Sequence, residues 1–489
     1  MAAPVTLGDL LPDPPEPPDR PLVHIGERTW RAAELSAAAA ALAEQLRAQG
    51  IGGGDRVGVS LPNGGELVAT LFGVWRAGAT YVPLNPRAPV AERERQAEAA
   101  GTVATVCLRD GVPTVERTPR PRQVPPRSAE IALVQFTSGT TGPPKPVPLR
   151  HDTVLSQIDG VLAKLGVVAG ERRDEEPMPN LVPVSLSLWA GLYTVLFAFR
   201  VGAPVVVMEQ FEPSSFAELV RRHQIRSTVL PPAALCALAD DPAIGDLSPL
   251  RFVRSITAPL SPSEARRFTD RFGVTVLNSY GQTELGGEII GWNAADARAH
   301  GTDKLGSIGR PHDGVEVRID DGELCVRTAA MRAGGVTVDL SDRLTPDGWL
   351  RTGDLAHIDD DGFVWIDGRV SDLINRGGFK VFPADVEEVI RSSGAVADVA
   401  VVGVPERRLG EVPVAFVVPR TWPPPPDLAA LLVAHCRDEL VAYKVPARVV
   451  PIRALPRNEI GKVQRAELVS AALATAGADL TAIPSEERP

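Results

Sequence analysis

Short apolar runs over 56–60, 79–83 and 103–108 are separated by helix-periodic stretches over 66–76 and 89–100. Connections that long join parallel neighbours rather than tight hairpins, so this alternation constrains the chain to a wound, largely parallel α/β sheet with helices on both faces. An earlier helix is expected to start from Thr29 as its cap, with Leu35, Leu42 and Leu46 on one face and Gly50 to Gly54 closing it. A second is expected from Asp152 to about Leu165. At 489 residues the chain exceeds one simple core and suits two or more domains. Residues 113–127, rich in Pro and Arg, read as an exposed linker.

The next apolar run, Ile131 to Phe136, empties into Thr137, Ser138, Gly139, Thr140, Thr141, Gly142, Pro143, Pro144 and Lys145. Glycines free backbone N–H groups to converge on an anion, hydroxyls add donors, and a lysine brings charge to polyphosphate oxygens. The spacing is not that of a Walker loop, because no Ser or Thr follows the lysine. Two further stretches end apolar runs in polar groups: Asn278, Ser279, Tyr280, Gly281, Gln282, Thr283 and Glu284, and then Thr352, Gly353 and Asp354. Open α/β sheets bind ligands at the carboxyl ends of strands, an aromatic face suits a purine, and a carboxylate has the acceptors that ribose hydroxyls or a hard cation need.

These motifs, in this order, resemble the acyl-adenylate-forming superfamily, which contains acyl-CoA synthetases, peptide-synthetase adenylation domains and luciferases. The resemblance implies a large N-terminal domain of wound sheets over 1–370 and a smaller, mobile α+β domain over 371–489. It implies that the loop from Thr137 to Lys145 cradles ATP, that Ala258 and Pro259 line the adenine pocket with Asn278, Ser279 and Gly281, and that Tyr280 stacks on adenine. Thr283 would donate to a phosphate and Glu284 would hold Mg²⁺. Asp354 and Arg369 would reach the ribose, and Lys462, in Pro456 to Lys462, would swing in as the catalytic lysine. The run from Gly377 to Glu387 looks like the CoA-ligase version of its motif, so Gly377, Gly378 and Lys380 are expected to receive coenzyme A.

The sequence departs from the family pattern at several points. Pro146 stands where glycine is usual, and Ile256 and Thr257 replace two glycines beside the adenine pocket. Ser371 replaces the usual charged hinge residue, which removes any charged latch that residue would form. Between 183 and 191 neither the His common in acyl- and aryl-CoA ligases nor the Asp of amino-acid-activating domains occurs. An acyl pocket drawn from Ser185, Trp189, Thr257 and Gly286 therefore reads as an apolar wall with a few hydroxyls, suited to an apolar fatty, aryl or natural-product acid. A carrier-protein phosphopantetheine as acceptor, an inactive nucleotide-binding relative and a luciferase-type oxygenase stand as alternatives.

Composition excludes other classes. A net charge of −10 argues against nucleic acid as the main partner. Cys107, Cys236, Cys325 and Cys436 match no metal or disulfide spacing and read as reduced thiols, so a cytoplasmic monomer or homodimer is expected. The proline-rich leader has no apolar core of a signal peptide, and the uncharged stretch 181–199 is read as a buried helix rather than a membrane span. Asp359, Asp360 and Asp361 are read as a solvated hairpin tip rather than a cation site.

Overall fold

The computed structural model describes residues 6–118, 127–136, 145–167, 177–258, 260–328, 331, 340–457 and 461–475, without the side chains of 284, 341 and 475. A six-stranded sheet runs in the order Val112–Arg117, Ala104–Arg109, Arg56–Ser60, Thr80–Pro83, Ile131–Phe136, Pro146–Arg150. Its four central strands are parallel, as the alternation requires, and each edge strand is antiparallel to its neighbour. Val57, Val59, Tyr81, Val82, Leu133 and Val134 are buried, which is why these strands read as unbroken apolar runs. Pro146 pairs with Phe136 as the first residue of the edge strand. An edge tolerates a residue with no N–H, so the missing glycine costs the sheet little.

Three expectations are corrected here. Residues 112–117 form a strand rather than a linker, because Val115 is buried against the sheet. Thr29 lies in strand Arg28–Arg31 and its hydroxyl meets the His24 ring at 3.0 Å, so it caps nothing; the helix begins at Ala32. Asp152 sits inside helix His151–Lys164, with Arg150 at the cap position. The apolar stretch 181–199 divides into strand Asn180–Val182 and buried helix Trp189–Arg200, and among the described residues no helix is long and apolar enough to cross a membrane.

A second sheet pairs Pro21–Ile25 with Val205–Val207 and Asn180–Val182 in parallel. A third, all parallel, consists of Ser227–Leu230, Phe252–Ser255 and Thr275–Asn278. Helix Pro262–Phe272 follows the middle strand, capped by Ser261, whose hydroxyl accepts from the Glu264 N–H. An antiparallel sheet of Val315–Asp320, Glu323–Thr328, Leu350–Ile358 and Val364–Arg369 closes the large N-terminal part. At its turn Lys304 donates to Asp359 at 2.9 Å and Asp361 at 2.6 Å, so the aspartate tip is clamped by an ammonium.

The smaller C-terminal domain has its own sheet, in which Val396–Glu406 pairs antiparallel with Gly410–Pro419. Its separate core contains Ile374, Val386, Ile390, Val401, Val417 and Leu432. Among the contacts that tie it to the large domain, the backbone N–H and hydroxyl of Ser263 both donate to Glu388, at 3.1 and 3.2 Å, and Arg420 pairs with Asp240 at 3.7 Å.

Candidate active site

A cavity of about 1710 Å³ opens at the carboxyl ends of the all-parallel strands. Strand Phe252–Ser255 runs into it through Ile256, Thr257 and Ala258, and strand Thr275–Asn278 through Ser279 and Tyr280. The antiparallel sheet contributes Thr352, Asp354 and Arg369, and the C-terminal domain contributes Lys462. Motifs almost two hundred residues apart in the chain thus share one space.

Asp354 is buried at 4% exposure and is the hub of one end. The Tyr280 hydroxyl donates to it at 2.5 Å, Gln282 Nε2 at 3.2 Å and Arg369 Nε at 2.9 Å. Gln282 is held in turn by Arg343, which donates to its Oε1 at 2.7 Å. A carboxylate has about four lone-pair sites, so this arrangement orients Asp354 and leaves it capacity for a hydroxyl. Gly281 is required by close approach: a Cβ there would stand 2.0 Å from the Gly287 carbonyl oxygen in the facing strand.

Lys462 is half-buried in the same cavity. Burial lowers the pKa of its ammonium, the Arg369 charge lowers it further, and Asp372 and Asp354 partly oppose them. Lys145, Arg343 and Arg369 line the same cavity and give it cations that an anionic substrate can meet. Residues 137–144, Pro259 and the side chain of Glu284 lie outside the description, so the cradle is placed only by its flanks: strand Ile131–Phe136 leads into it and Lys145, which lines the cavity, leads out.

The other end of the cavity differs from expectation. Trp189 and Thr257 line it, but Ser185 and Gly286 do not. Ser185 instead accepts from the Ser187 N–H in a local turn, and Gly287 takes the place that Gly286 was expected to hold. The wall also carries charge, because Arg254 and Glu288 line it and pair at 3.1 Å, with His312 against Glu288 at 3.1 Å. Burial pushes the Glu288 carboxyl up, but Arg254 and His312 outweigh it and hold the group at about 2. Neither Arg254 nor Glu288 sits in a recognisable motif; only the fold shows that they meet. Thr257 has φ of 74°, a region that favours glycine and strains a β-branched residue.

Ser371 lies in the short turn Val370–Asp372 that follows Arg369, and its hydroxyl donates to Asp372 at 2.9 Å. Asp372 pairs with Arg465 at 3.3 Å, and Arg465 also reaches Glu387 at 2.9 Å. The charge missing at Ser371 is thus present one residue on. Gly377, Gly378 and Lys380 form an exposed hairpin that does not line the cavity.

The family model described as AMP-binding enzyme matches residues 13–334, and that of the AMP-binding enzyme C-terminal domain matches 385–462. The chain belongs to the AMP-binding enzyme family. Within this adenylate-forming family it is most like the acyl-CoA synthetases, which makes it an AMP-forming ligase that binds ATP. It is 31% identical to a sulfoacetate–CoA ligase of Cupriavidus necator, over 89% of this chain and 91% of that protein. It is 29% identical to a fatty acid–[acyl-carrier-protein] ligase of Streptomyces coeruleorubidus, over 92% of this chain and 93% of that protein. The solved o-succinylbenzoate CoA synthetase of Bacillus subtilis, in complex with its acyl-adenylate intermediate, superposes with a TM-score of 0.76 at 26% identity, covering 92% of this chain and 96% of that one.

Proposed function

We propose that this AMP-binding enzyme joins a carboxylic acid to coenzyme A in two steps through an acyl-adenylate. The observation that carries the reading is Lys462, supplied by one domain, standing in the cavity with Asp354, Arg369 and Tyr280, supplied by the other. In the first step a carboxylate oxygen attacks the α-phosphorus of ATP, the bond to the bridging oxygen breaks, and pyrophosphate leaves with the electron pair. Lys462 offsets repulsion between the two anions and stabilises charge developing on the α-phosphate. Asp354 and Arg369 fix the ribose, Tyr280 covers the adenine beside Ala258, Pro259, Asn278, Ser279 and Gly281, and Thr283 and the loop from Thr137 to Gly142 with Lys145 hold the phosphates. Glu284 is the carboxylate suited to Mg²⁺, which neutralises phosphate charge when bound.

That Lys462 lines the cavity while Gly377, Gly378 and Lys380 do not supports a conformation suited to this first step. For the second, residues 371–489 turn as a unit about Ser371, withdraw Lys462 and bring Gly377, Gly378 and Lys380 to the cavity. There the thiolate of coenzyme A attacks the acyl carbonyl and AMP leaves. The likeness to an acyl-carrier-protein ligase supports a second reading, in which the thiol is a carrier's phosphopantetheine.

The test is a panel of aliphatic, aryl and amino acids incubated with Mg-ATP and coenzyme A, with acyl-CoA and AMP both followed by mass spectrometry. Acyl-CoA from any of them supports the reading. Acyl-adenylate or AMP without acyl-CoA moves the acceptor to a carrier protein, and the absence of acyl-adenylate, AMP and acyl-CoA across the panel overturns the activity.

A further inference from the structure

The end of the cavity that the nucleotide motifs leave unused contains donors with nothing to donate to. Trp189 and Tyr193 both line it, with their rings edge to face at 5.6 Å and 68°. The indole Nε1 and the phenol hydroxyl are buried, and neither has a hydrogen-bond partner among the described residues. A Cβ on Gly287 would meet the Tyr193 ring at 3.1 Å, which places that ring against the strand carrying Glu288. Folded proteins seldom leave such groups unmet, and where the residues line a binding cavity the missing partner belongs to the ligand. An indole N–H can only donate and a phenol donates readily, so the partner is an acceptor.

Charge narrows it further. Arg254, the cation of this wall, is already neutralised by Glu288, and both are largely buried. A second full charge at this end would enter a desolvated wall with no counter-ion to meet it. We propose that the acid carries an uncharged hydrogen-bond-accepting oxygen, as in a hydroxyl, ketone, ether or amide, at the end remote from its carboxylate, and that Trp189 and Tyr193 receive it. This narrows the apolar fatty, aryl or natural-product acid expected from sequence, and it rests on the ligase reading above.

The test compares acids that differ by that oxygen: phenylpropanoic acid against its para-hydroxy form, and octanoic acid against the methyl ketone with its oxo group on the penultimate carbon. Pyrophosphate release gives kcat/KM for each. The oxygenated member of at least one pair is expected to be favoured by about tenfold or more, and the preference is expected to fall toward unity in Tyr193→Phe. Because the first comparison uses the unaltered enzyme, misfolding of a variant cannot imitate the result. Equal or better turnover of both hydrocarbon members overturns the inference and leaves the ligase reading standing, as does a preference that Tyr193→Phe leaves unchanged. No AMP from any acid overturns the ligase reading, and this inference with it.

Discussion

At one end of the cavity Tyr280, Gln282 and Arg369 all direct donors at the single carboxylate of Asp354, whereas at the other a buried hydroxyl and an indole N–H meet nothing among the described residues. The difference separates two kinds of work. A network closed on itself is oriented before any ligand arrives, which suits a nucleotide that is the same in every turnover. An open set of donors is completed only by the right ligand, which suits the part of the substrate that must be told from its competitors.

Substitutions at each end break or sharpen this contrast. Arg254→Ala is expected to have the largest effect, a loss of about 3–5 kcal/mol in a denaturant melt, because it leaves Glu288 as an uncompensated buried carboxylate. A loss under about 1 kcal/mol would show that the pair is solvated and the wall ordinary. Lys462→Ala is expected to slow adenylation by about 10²–10³-fold, on the scale of one electrostatic group lost from a transition state. Thiolysis of supplied acyl-adenylate should stay nearly intact, and equal loss of both steps would refute the proposed division of labour.

A smaller effect concerns pH. Burial depresses the Lys462 pKa, so its proton leaves below the ordinary lysine range and the charge is lost as pH rises. The profile of kcat/KM for ATP should therefore have an alkaline limb beginning below that range, moved to higher pH in Lys462→Arg. A limb in the same place in both enzymes would assign the titration to another group. The smallest change is expected from Thr257→Gly. Relief of about 1–3 kcal/mol of backbone strain is set against about 0.5–1 kcal/mol of added chain entropy, for a net gain of about 1 kcal/mol in a thermal melt. Lower stability would mean that the left-handed backbone at Thr257 is not strained.

The two ends were also unequally legible in the sequence. Tyr280, Thr283, Asp354, Arg369 and Lys462 stand in contiguous motifs whose residue types already state their chemistry, and the fold brings them to one cavity. Arg254, Glu288 and Tyr193 sit on three separate elements, a strand, a second strand and a helix, and meet only through packing that no local spacing encodes. Arg343 was missed for the same reason, since its work is to hold Gln282 across a gap of sixty-one residues. The wound parallel sheet was visible because buried strands and crossover helices leave periodic patterns. The strand over 112–117 was not, because its single buried valine is set among prolines and charges that read as linker.

Arg369 ends its strand, and the turn Val370–Asp372 begins at the next residue. The group proposed to hold the ribose and the pivot proposed to turn the smaller domain are thus consecutive links of one covalent chain. A force that a bound nucleotide exerts on Arg369 has only one peptide to cross before it reaches that pivot. Under that proposal, occupancy and orientation are the two arms of a lever whose fulcrum is a single peptide, and departure of the nucleotide is expected to free the domain for another round.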